Sequence, residues 1–291
     1  MSSAPWTIGR LLAWTTDYLK QHGSDSPRLE AEVLLAAARK CPRIELYTAF
    51  EDPASEELRT AFRALVKQRA EGKPVAYLVG HREFYSLKFR VTPDVLIPRP
   101  ETEFLVVRLL DLVKQRLAGS GPAQVADVGT GSGIIAICAA KHGGCQVTAI
   151  DISTKALEVA RGNADKLGVS DRVAFVESDL LAALPAEQKF EIVASNPPYI
   201  SDAELAELPR DVKDFEPHLA LSGGERGTSV IERLIPQAAE RLHGGGSLLI
   251  EISPMIEAAV KSLVAAHGQF EVEPTVKDLA GHARVVQAKR R

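Results

Sequence analysis

A polar turn, Asn196-Pro197-Pro198-Tyr199, follows the apolar run from Phe190 to Ser195. Because proline lacks an N–H donor and fixes φ, two prolines in succession end a buried β-strand abruptly. The Asn196 side chain and the Pro197 carbonyl can each accept a hydrogen bond, which suits a planar –NH2 group packed against Tyr199. The turn therefore predicts a site for an amide or an exocyclic amine, although a turn that only closes a strand would contain the same residues.

A glycine-rich turn, Gly129-Thr130-Gly131-Ser132-Gly133, follows another apolar segment. Glycine lets the backbone turn tightly and approach a ligand closely. The next apolar stretch ends in Asp151, roughly 20 residues after the glycines, where an acidic residue suits a ribose diol. Gly131–Ala136 also fits the dinucleotide pattern G-x-G-x-x-A, so a nicotinamide enzyme is an alternative on this loop alone. The Asn-Pro-Pro-Tyr turn favours methyl transfer to a planar nitrogen instead.

Composition narrows the function classes. The chain has 291 residues, 45% of them hydrophobic and 25% charged, and a formal net charge of −3. Such a balance is typical of a globular protein, and it argues against direct nucleic-acid binding. Cys41, Cys138 and Cys145 form no C-x-x-C pair, so we expect neither a disulfide framework nor a metal site. No apolar run reaches the ~18 residues of a membrane span and the start is not basic, so we expect a cytoplasmic location.

The beginning of the chain has helical periodicity. Cap residues and apolar spacing predict four helical segments: one after Thr7, one from Ser26-Pro27, a short one over 44–50 and one after Ser55. Residues 1–75 are therefore expected to form a bundle of four or five helices. From Val75 to Val91 the pattern alternates, which predicts a β-hairpin. We expect residues 76–95 to link the bundle to a second domain over 96–291.

The rest of the chain alternates strands with helices. The predicted strands cover 124–128, 146–150, 172–176, 190–195, 246–252, 269–273 and 283–288. The predicted helices cover 133–142, 154–167, 227–242 and 254–266, with an earlier helix from Glu101 or Thr102 through Leu117 and a turn at Gly244–Gly246. This alternation predicts a doubly wound α/β sheet with its ligands at the carboxyl ends of the strands. The glycine turn, Asp151, Asp179 and Asn196 all fall at such ends.

Three segments together resemble one known family. Leu96–Glu103, Asp127–Gly133 and Asn196–Tyr199 look like the HemK family, the peptide chain release factor glutamine methyltransferases also called PrmC. The resemblance covers nearly the whole chain, and its most selective part is Ile-Pro-Arg-Pro-Glu-Thr-Glu. It implies a Rossmann-like class I S-adenosylmethionine-dependent methyltransferase fold with a seven-stranded sheet, a small N-terminal helical domain and a connecting β-hairpin.

The resemblance also implies roles for residues. Gly129, Thr130, Gly131, Ser132 and Gly133 would cradle S-adenosylmethionine, which leaves as S-adenosylhomocysteine. Asp151 would take the ribose hydroxyls, and Asp179 and Leu180 would border the adenine, where the family often has an aromatic residue in place of Leu180. Asn196, beside the donor, and Pro197 would hold the substrate amide and carry catalysis with Tyr199, while Pro198 would complete the substrate site. The implied substrate is the glutamine of the Gly-Gly-Gln motif in class I release factors, and a monomer is expected.

Other functions stay open at this point. The same turn could serve methylation of an adenine exocyclic amine, which would need base extrusion and a basic surface. Methylation of a ribosomal-protein glutamine differs only in substrate, and a catalytically silent module that binds release factor or ribosome is a different class. The chain departs from the family pattern at Ser253–Met255, Glu225-Arg226 and Ala283. Arg99 and Glu101 could pair with each other or touch substrate.

Overall fold

The structure, a computed structural model, describes residues 5–116 and 121–291. The chain divides into two compact units, one of Met1–His81 with Arg210–Phe215 and one of Arg82–Pro209 with Glu216–Arg291. The predicted end of one helix at Leu117 and the first four residues of the predicted helical domain lie outside the described residues. Each unit has its own hydrophobic core.

The smaller unit is helical. Its described helices are Ile8–Gln21 (α1), Pro27–Arg39 (α2), Glu45–Thr48 (α3), Glu56–Ala70 (α4), Val75–Val79 (α5) and, much later in the chain, Arg210–Lys213 (α10). Thr7 and Ser55 cap α1 and α4 as predicted, because their side chains accept hydrogen bonds from the backbone N–H groups of Arg10 and Leu58. The apolar faces of these helices bury Leu12, Leu34 and Phe62 in a single cluster.

The connecting segment differs in part from the predicted hairpin. Strands His81–Phe84 (β1) and Leu87–Arg90 (β2) form the expected two-stranded sheet. The residues before them, α5, are helical rather than extended. Pro74 precedes α5 and Gly80, with φ of 75°, ends it, which is the usual placement of these two residues around a short helix. Five residues are too few for apolar spacing to separate a helix from a strand.

The larger unit contains a sheet with eight strands among the described residues. They are Gln124–Val128 (β3), Gln146–Asp151 (β4), Val173–Glu177 (β5), Phe190–Ser195 (β6), Leu242–Glu251 (β7), Phe270–Val272 (β8), Val276–Lys277 (β9) and Ala283–Arg290 (β10). The order is β5-β4-β3-β6-β7-β10-β8, and β9 pairs with β10. Strands β3 to β7 are mutually parallel, whereas β10 runs antiparallel to its neighbours.

Helices cover both faces of this sheet. The α-helices described in the larger unit are Thr102–Arg116 (α6), Ile134–Gly143 (α7), Thr154–Leu167 (α8), Asp202–Glu207 (α9), Ser229–Arg241 (α11) and Glu257–Ala266 (α12), of which α9 buries no residue. One buried cluster joins α6 and α7 to one face, and a second joins α11 and α12 to the other. Successive strand residues such as Val125 and Ala126 enter opposite clusters, so the inner strands are mostly apolar on both faces, as is usual for parallel strands buried on both sides, with Asp127 in β3 as an exception.

Two details of the sheet were predicted wrongly. The two-residue strand β9 brings the count to eight instead of seven, and a strand so short leaves no periodic pattern. The three glycines Gly244–Gly246 lie inside β7 rather than in a turn before it. The register with β6 shifts there, from Phe190 opposite Leu242 to Ile192 opposite Ser247, so the glycines form an irregularity within the strand.

Candidate active site

A cavity of about 270 Å³ lies at the carboxyl ends of the parallel strands of the larger unit. This volume is close to the lower end of the ~300–1,000 Å³ that is usual for small-molecule sites. Most of the predicted site residues line it, namely Gly129, Thr130, Gly131, Ser132, Asp151, Asp179, Leu180, Asn196 and Pro198. Gly133, Pro197 and Tyr199 adjoin these residues in sequence but do not line the cavity. The sheet thus brings the ends of β3, β4, β5 and β6 to one cavity.

The glycine turn has the backbone conformation that only glycine adopts easily. Gly129, Gly131 and Gly133 have φ values of 74°, 55° and 86°. The N–H groups of Gly129 and Thr130 both donate to the carbonyl of Ile150, at 2.8 Å each, which fixes the turn to the end of β4. A Cβ at Gly131 would meet no atom within 4 Å. The turn therefore presents bare backbone to the cavity.

Asp127 connects this turn to the start of helix α7 by two hydrogen bonds. Its side chain is fully buried, and Oδ2 accepts hydrogen bonds from the Thr130 hydroxyl at 2.6 Å and the Ala136 N–H at 3.0 Å. Oδ1 has no hydrogen-bond partner in the described part of the chain. Burial raises the pKa of Asp127 to about 7, against the lowering effect of its two hydrogen bonds.

Asp151 ends β4 and faces the same turn. Its Oδ2 accepts from the Gly131 N–H and its Oδ1 accepts from the Ser153 N–H, both at 2.9 Å. Burial raises the pKa of this carboxyl, and the backbone hydrogen bonds lower it in part. Each carboxylate oxygen has a second lone pair, so Asp151 can still accept hydrogen bonds from a ligand hydroxyl.

Asp179 and Leu180 follow β5 on the cavity wall. The guanidinium of Arg233, which also lines the cavity, pairs with the Asp179 carboxylate. Leu180 has φ of 55°, a left-handed conformation that costs a residue with a Cβ about 1–3 kcal/mol. A strained apolar residue is thus held on the cavity wall, beside a charged pair.

Asn196 has a fixed amide. Its Nδ2 donates to the Thr102 hydroxyl at 3.2 Å, and Thr102 is fully buried at the start of α6. None of the described residues donates a hydrogen bond to the Asn196 Oδ1, which is left as an acceptor on a cavity-lining side chain. Below it, the Ser195 hydroxyl donates to the Val128 carbonyl at 2.7 Å, so the ends of β6 and β3 are joined. Asn196 and the glycine turn are therefore held side by side.

Pro197 is buried and Tyr199 is partly buried behind the cavity wall. Burial, with the nearby Glu251, raises the pKa of the Tyr199 phenol, so the ring stays uncharged. The segment that follows is held by backbone bonds, Ile200 N–H to the Leu221 carbonyl at 3.0 Å being one of them. Gly227 has φ of 72°, and a Cβ there would overlap the Tyr199 carbonyl oxygen. The glycine-rich loop before α11 therefore supports Tyr199 directly.

Glu251, at the end of β7, is a buried carboxylate beside Asn196. Its side chain is 1% exposed, and neither oxygen has a partner in hydrogen-bonding geometry among the described residues. Burial raises the pKa of Glu251 to about 7; the nearby Thr102 and Asn196 side chains lower it in part, and Glu101 raises it further. The hydrogen bonds of Glu251 are therefore incomplete, although the Thr102 hydroxyl hydrogen and the second hydrogen of the Asn196 Nδ2 group are both nearby donors.

The Ile-Pro-Arg-Pro-Glu-Thr-Glu segment is braced by Glu216, and not by the Arg99–Glu101 pair that was one of two alternatives from the sequence. Arg99 pairs with Glu216 at 2.6 Å and not with Glu101. Glu216 is buried, and its second oxygen accepts from the Ile97 N–H at 3.1 Å. One carboxylate therefore fixes both the backbone and a side chain of this loop. The carboxylate Oε1 of Glu101 lies 3.9 Å from a guanidinium nitrogen of Arg284 instead.

Sequence reasoning missed several residues of this site. It used Thr102 only as a helix start, and Asp127 and Glu251 were given no role in binding or catalysis. A carboxylate inside or at the end of an apolar strand is a usable signal, since such residues are almost never fully buried without a partner. Arg233 and Glu216 left no signal, because their partners Asp179 and Arg99 are far away in sequence.

The described residues contain no group of three or more histidine, cysteine, aspartate or glutamate side chains placed to hold a metal ion. Within residues 5–116 and 121–291, no helix is long and apolar enough to cross a membrane.

Two known protein families match parts of the chain. Residues 10–80 match the family described as PrmC N-terminal domain, and residues 106–209 match the methyltransferase small domain. A Rhodopirellula baltica protein named release factor glutamine methyltransferase is 50% identical over 290 residues, which are 99% of this chain and 98% of that protein. A Koribacter versatilis protein of the same name is 41% identical over 94% of this chain and 95% of its own length.

A solved structure shares the fold. The ribosomal protein L11 methylase from Lactobacillus delbrueckii subsp. bulgaricus superposes with a TM-score of 0.50 over 72% of this chain and 90% of its own. Its sequence is 22% identical to this one, so the likeness concerns the fold alone.

Proposed function

The chain belongs to the release factor glutamine methyltransferases, and from that premise we propose how its site works. It is an S-adenosylmethionine-dependent enzyme with the class I methyltransferase fold. It transfers the donor's methyl group to the side-chain amide nitrogen of the glutamine in the Gly-Gly-Gln motif of peptide chain release factors. The observation that carries the proposal is one cavity in which the glycine turn, Asp151 and the Asn196 amide meet.

The residues around the glycine turn suit S-adenosylmethionine. Gly131 offers bare backbone with open space where a Cβ would stand, so a ligand can approach the main chain closely. Asp151 has lone pairs left for the two ribose hydroxyls, and Asp179 with Leu180 would border the adenine. The remaining members of the turn, Thr130, Ser132 and Gly133, shape it through hydrogen bonds and helix packing rather than through charge.

The substrate amide would lie against the Asn-Pro-Pro-Tyr turn. Asn196 Oδ1 is free to accept one amide hydrogen, and the Pro197 carbonyl would accept the other. Tyr199, whose ring is uncharged, would pack near the amide plane, and Pro198 would complete the wall. Two acceptors facing one –NH2 group hold its nitrogen in a single orientation.

The main task of this chain in the reaction is to position the substrate amide nitrogen relative to the donor's methyl group. When bound, S-adenosylmethionine would supply a methyl group attached to a positively charged sulfur, and this sulfur is a good leaving group. An amide nitrogen is a weak nucleophile because its lone pair is delocalised. Acceptors at Asn196 and Pro197 raise the electron density on that nitrogen, and preorganised dipoles of this kind are usually the largest catalytic contribution.

We further propose that the enzyme acts as a monomer in the cytoplasm, without binding nucleic acid directly. The residues assigned to donor and amide all belong to one chain, so a second copy is not needed to complete the site. The net charge of −3 gives no overall attraction for nucleic acid. Release factors work with the ribosome, which favours a cytoplasmic location.

The test is methyl transfer from labelled S-adenosylmethionine to purified release factors. Parallel reactions contain release factors with Gly-Gly-Gln changed to Gly-Gly-Ala, a mixture of ribosomal proteins, and DNA. We expect label on the release factor that disappears with the glutamine. Label only on ribosomal protein or DNA would keep the chemistry and overturn the substrate, and no label together with no donor binding would favour a non-catalytic binding module.

A further inference from the structure

The Asn196 amide can face its substrate in two ways, and only one is productive. With Oδ1 toward the substrate it accepts an amide hydrogen, whereas a flipped side chain would present Nδ2 and oppose the substrate –NH2 group. In the structure Nδ2 is given to the Thr102 hydroxyl, at 3.2 Å. The productive orientation thus depends on Thr102 acting as an acceptor.

A hydroxyl that accepts from Asn196 must place its own hydrogen elsewhere. Thr102 is fully buried, so water cannot take that hydrogen. Glu251 is the neighbouring carboxylate, 1% exposed, with two oxygens that lack partners in the described structure. A hydrogen bond from the Thr102 hydroxyl to Glu251 would satisfy both groups, and buried polar groups without partners are costly.

We propose that Thr102 and Glu251 are positioning residues that fix the Asn196 amide with Oδ1 toward the substrate. The ionised carboxylate can only accept, so it draws the Thr102 hydrogen toward itself and makes Thr102 an acceptor for Asn196. A protonated Glu251 can donate to Thr102 instead, which frees the threonine hydrogen to meet Oδ1 and favours the flipped amide. This inference rests on the proposed function and deepens it.

The charges around Glu251 determine when it is ionised. Glu101 precedes α6, Arg284 lies on β10, and the neutral Tyr199 follows β6; Arg284 also binds Asp278, at 2.8 Å. The pKa of Glu251 is raised to about 7, with burial as the main cause. The carboxylate is therefore ionised above neutral pH and protonated below it.

The first experiment compares Thr102→Val with Thr102→Ser in the full-length enzyme, using a release factor as substrate. Valine keeps the shape of threonine and removes the hydroxyl, so we expect kcat to fall about tenfold, the scale of one lost hydrogen bond. Serine restores the hydroxyl, so kcat should recover at least about fivefold relative to valine. Donor affinity, measured by calorimetry, should be the same in both, which shows that the folded site is intact.

The second experiment measures kcat against pH for the wild type and Glu251→Gln. In the wild type, kcat should rise through an apparent pKa of about 7. Glutamine keeps the shape of the side chain but does not ionise, so this rise should disappear while kcat at pH 8 falls about tenfold. The pKa of Asp127 is also raised to about 7, but Asp127 contacts the glycine turn and not Asn196. The Asp127→Asn variant should therefore keep the rise of kcat with pH.

Each outcome separates the two proposals. No methylation of release factor by the wild type would overturn the proposed function itself. An active wild type whose Thr102→Val and Thr102→Ser variants have equal kcat, or whose pH profile survives in Glu251→Gln, would overturn the positioning role alone.

Discussion

At the scale of single residues, we expect kcat to be most sensitive to substitution of Asn196. We expect Asn196→Ala to lower kcat by at least ~100-fold, because a preorganised polar contact to the reacting group is lost. Donor affinity should change little, since the glycine turn and Asp151 are untouched. Steady-state kinetics with a release factor, together with donor titration, measures both quantities.

Asn196→Asp is the sharper companion variant. It keeps the shape of the side chain and places a charge beside the Thr102 hydroxyl, while removing the Nδ2 donor. We expect kcat to fall by at least as much as in the alanine variant. Turnover near the wild-type value in either variant would contradict the assignment of the Asn196 amide to the substrate.

Asp127 makes stability depend on pH. Its pKa is 3.8 in the unfolded chain and about 7 when folded, so the folded state binds its proton more tightly. The contribution of Asp127 to the unfolding free energy is fully present below pH ~4 and is lost as the pH rises through ~7. The difference between the two pKa values corresponds to at most roughly 4 kcal/mol. We expect Asp127→Asn to flatten the decline of unfolding free energy with rising pH over this range.

Denaturant unfolding at several pH values measures this effect as the difference between Asp127→Asn and the wild type. Glu251 contributes with the same sign and is present in both proteins, so it cancels from the difference. A difference that does not vary between pH 4 and pH 7 would show that the Asp127 carboxyl does not change its proton affinity on folding.

The sequence was informative wherever one residue type decides the local chemistry. The glycine turn, Asp151 and Asn196, which line one cavity, can be singled out from the sequence because a glycine-rich turn, a carboxylate at a strand end and an amide at a strand end each leave a local signature. Thr102 and Glu251 meet Asn196 only through the fold, since α6 and β7 are far from it in sequence. Such contacts depend on the order of the strands in the sheet, which the local patterns of a single sequence do not reveal.

At the scale of elements, the loop before α11 contacts the Asn-Pro-Pro-Tyr turn, to which we assign the substrate amide. A Cβ at Gly227 would overlap the Tyr199 carbonyl oxygen, so Gly227→Ala must displace that backbone. We expect kcat to fall at least about tenfold, since a displacement of about 1 Å near the chemistry can cost ~100-fold. Methyl transfer to a release factor is the measurement.

Gly268→Ala is a matched control for this variant. Gly268 has φ of 76°, close to the 72° of Gly227, but a Cβ there would meet nothing within 4 Å. Both variants carry the same backbone penalty of about 1 kcal/mol, and only one has the clash. Equal loss of activity in the two would mean that the loop does not act through Tyr199.

Elements with long periodic patterns were predicted well, and short ones were not. Helix α8 has the predicted bounds, since its amphipathic spacing extends over its whole length. Helix α5 and strand β9 were missed because five or two residues do not contain a period. The glycines within β7 predict a turn, because an irregularity inside a strand and a loop between elements use the same residues.

At the scale of the whole molecule, donor binding should be coupled to stability. A ligand that binds only the folded state raises the unfolding free energy by about 2.7 kcal/mol at a concentration of 100 times its Kd. The cavity is built from four strand ends of the larger unit, so no part of it exists in the unfolded chain. We expect S-adenosylhomocysteine to raise the unfolding midpoint of the wild type in a concentration-dependent way.

Asp151→Ala tests whether that coupling runs through the assigned site. Its carboxylate holds the N–H groups of Gly131 and Ser153 and is our candidate for the ribose hydroxyls, so its loss should weaken binding while most of the fold persists. At the same ligand concentration the shift of the midpoint should be much smaller than in the wild type. A shift of full size in Asp151→Ala would place the ligand elsewhere on the molecule, because linkage allows a ligand to stabilise the fold only through the site it occupies.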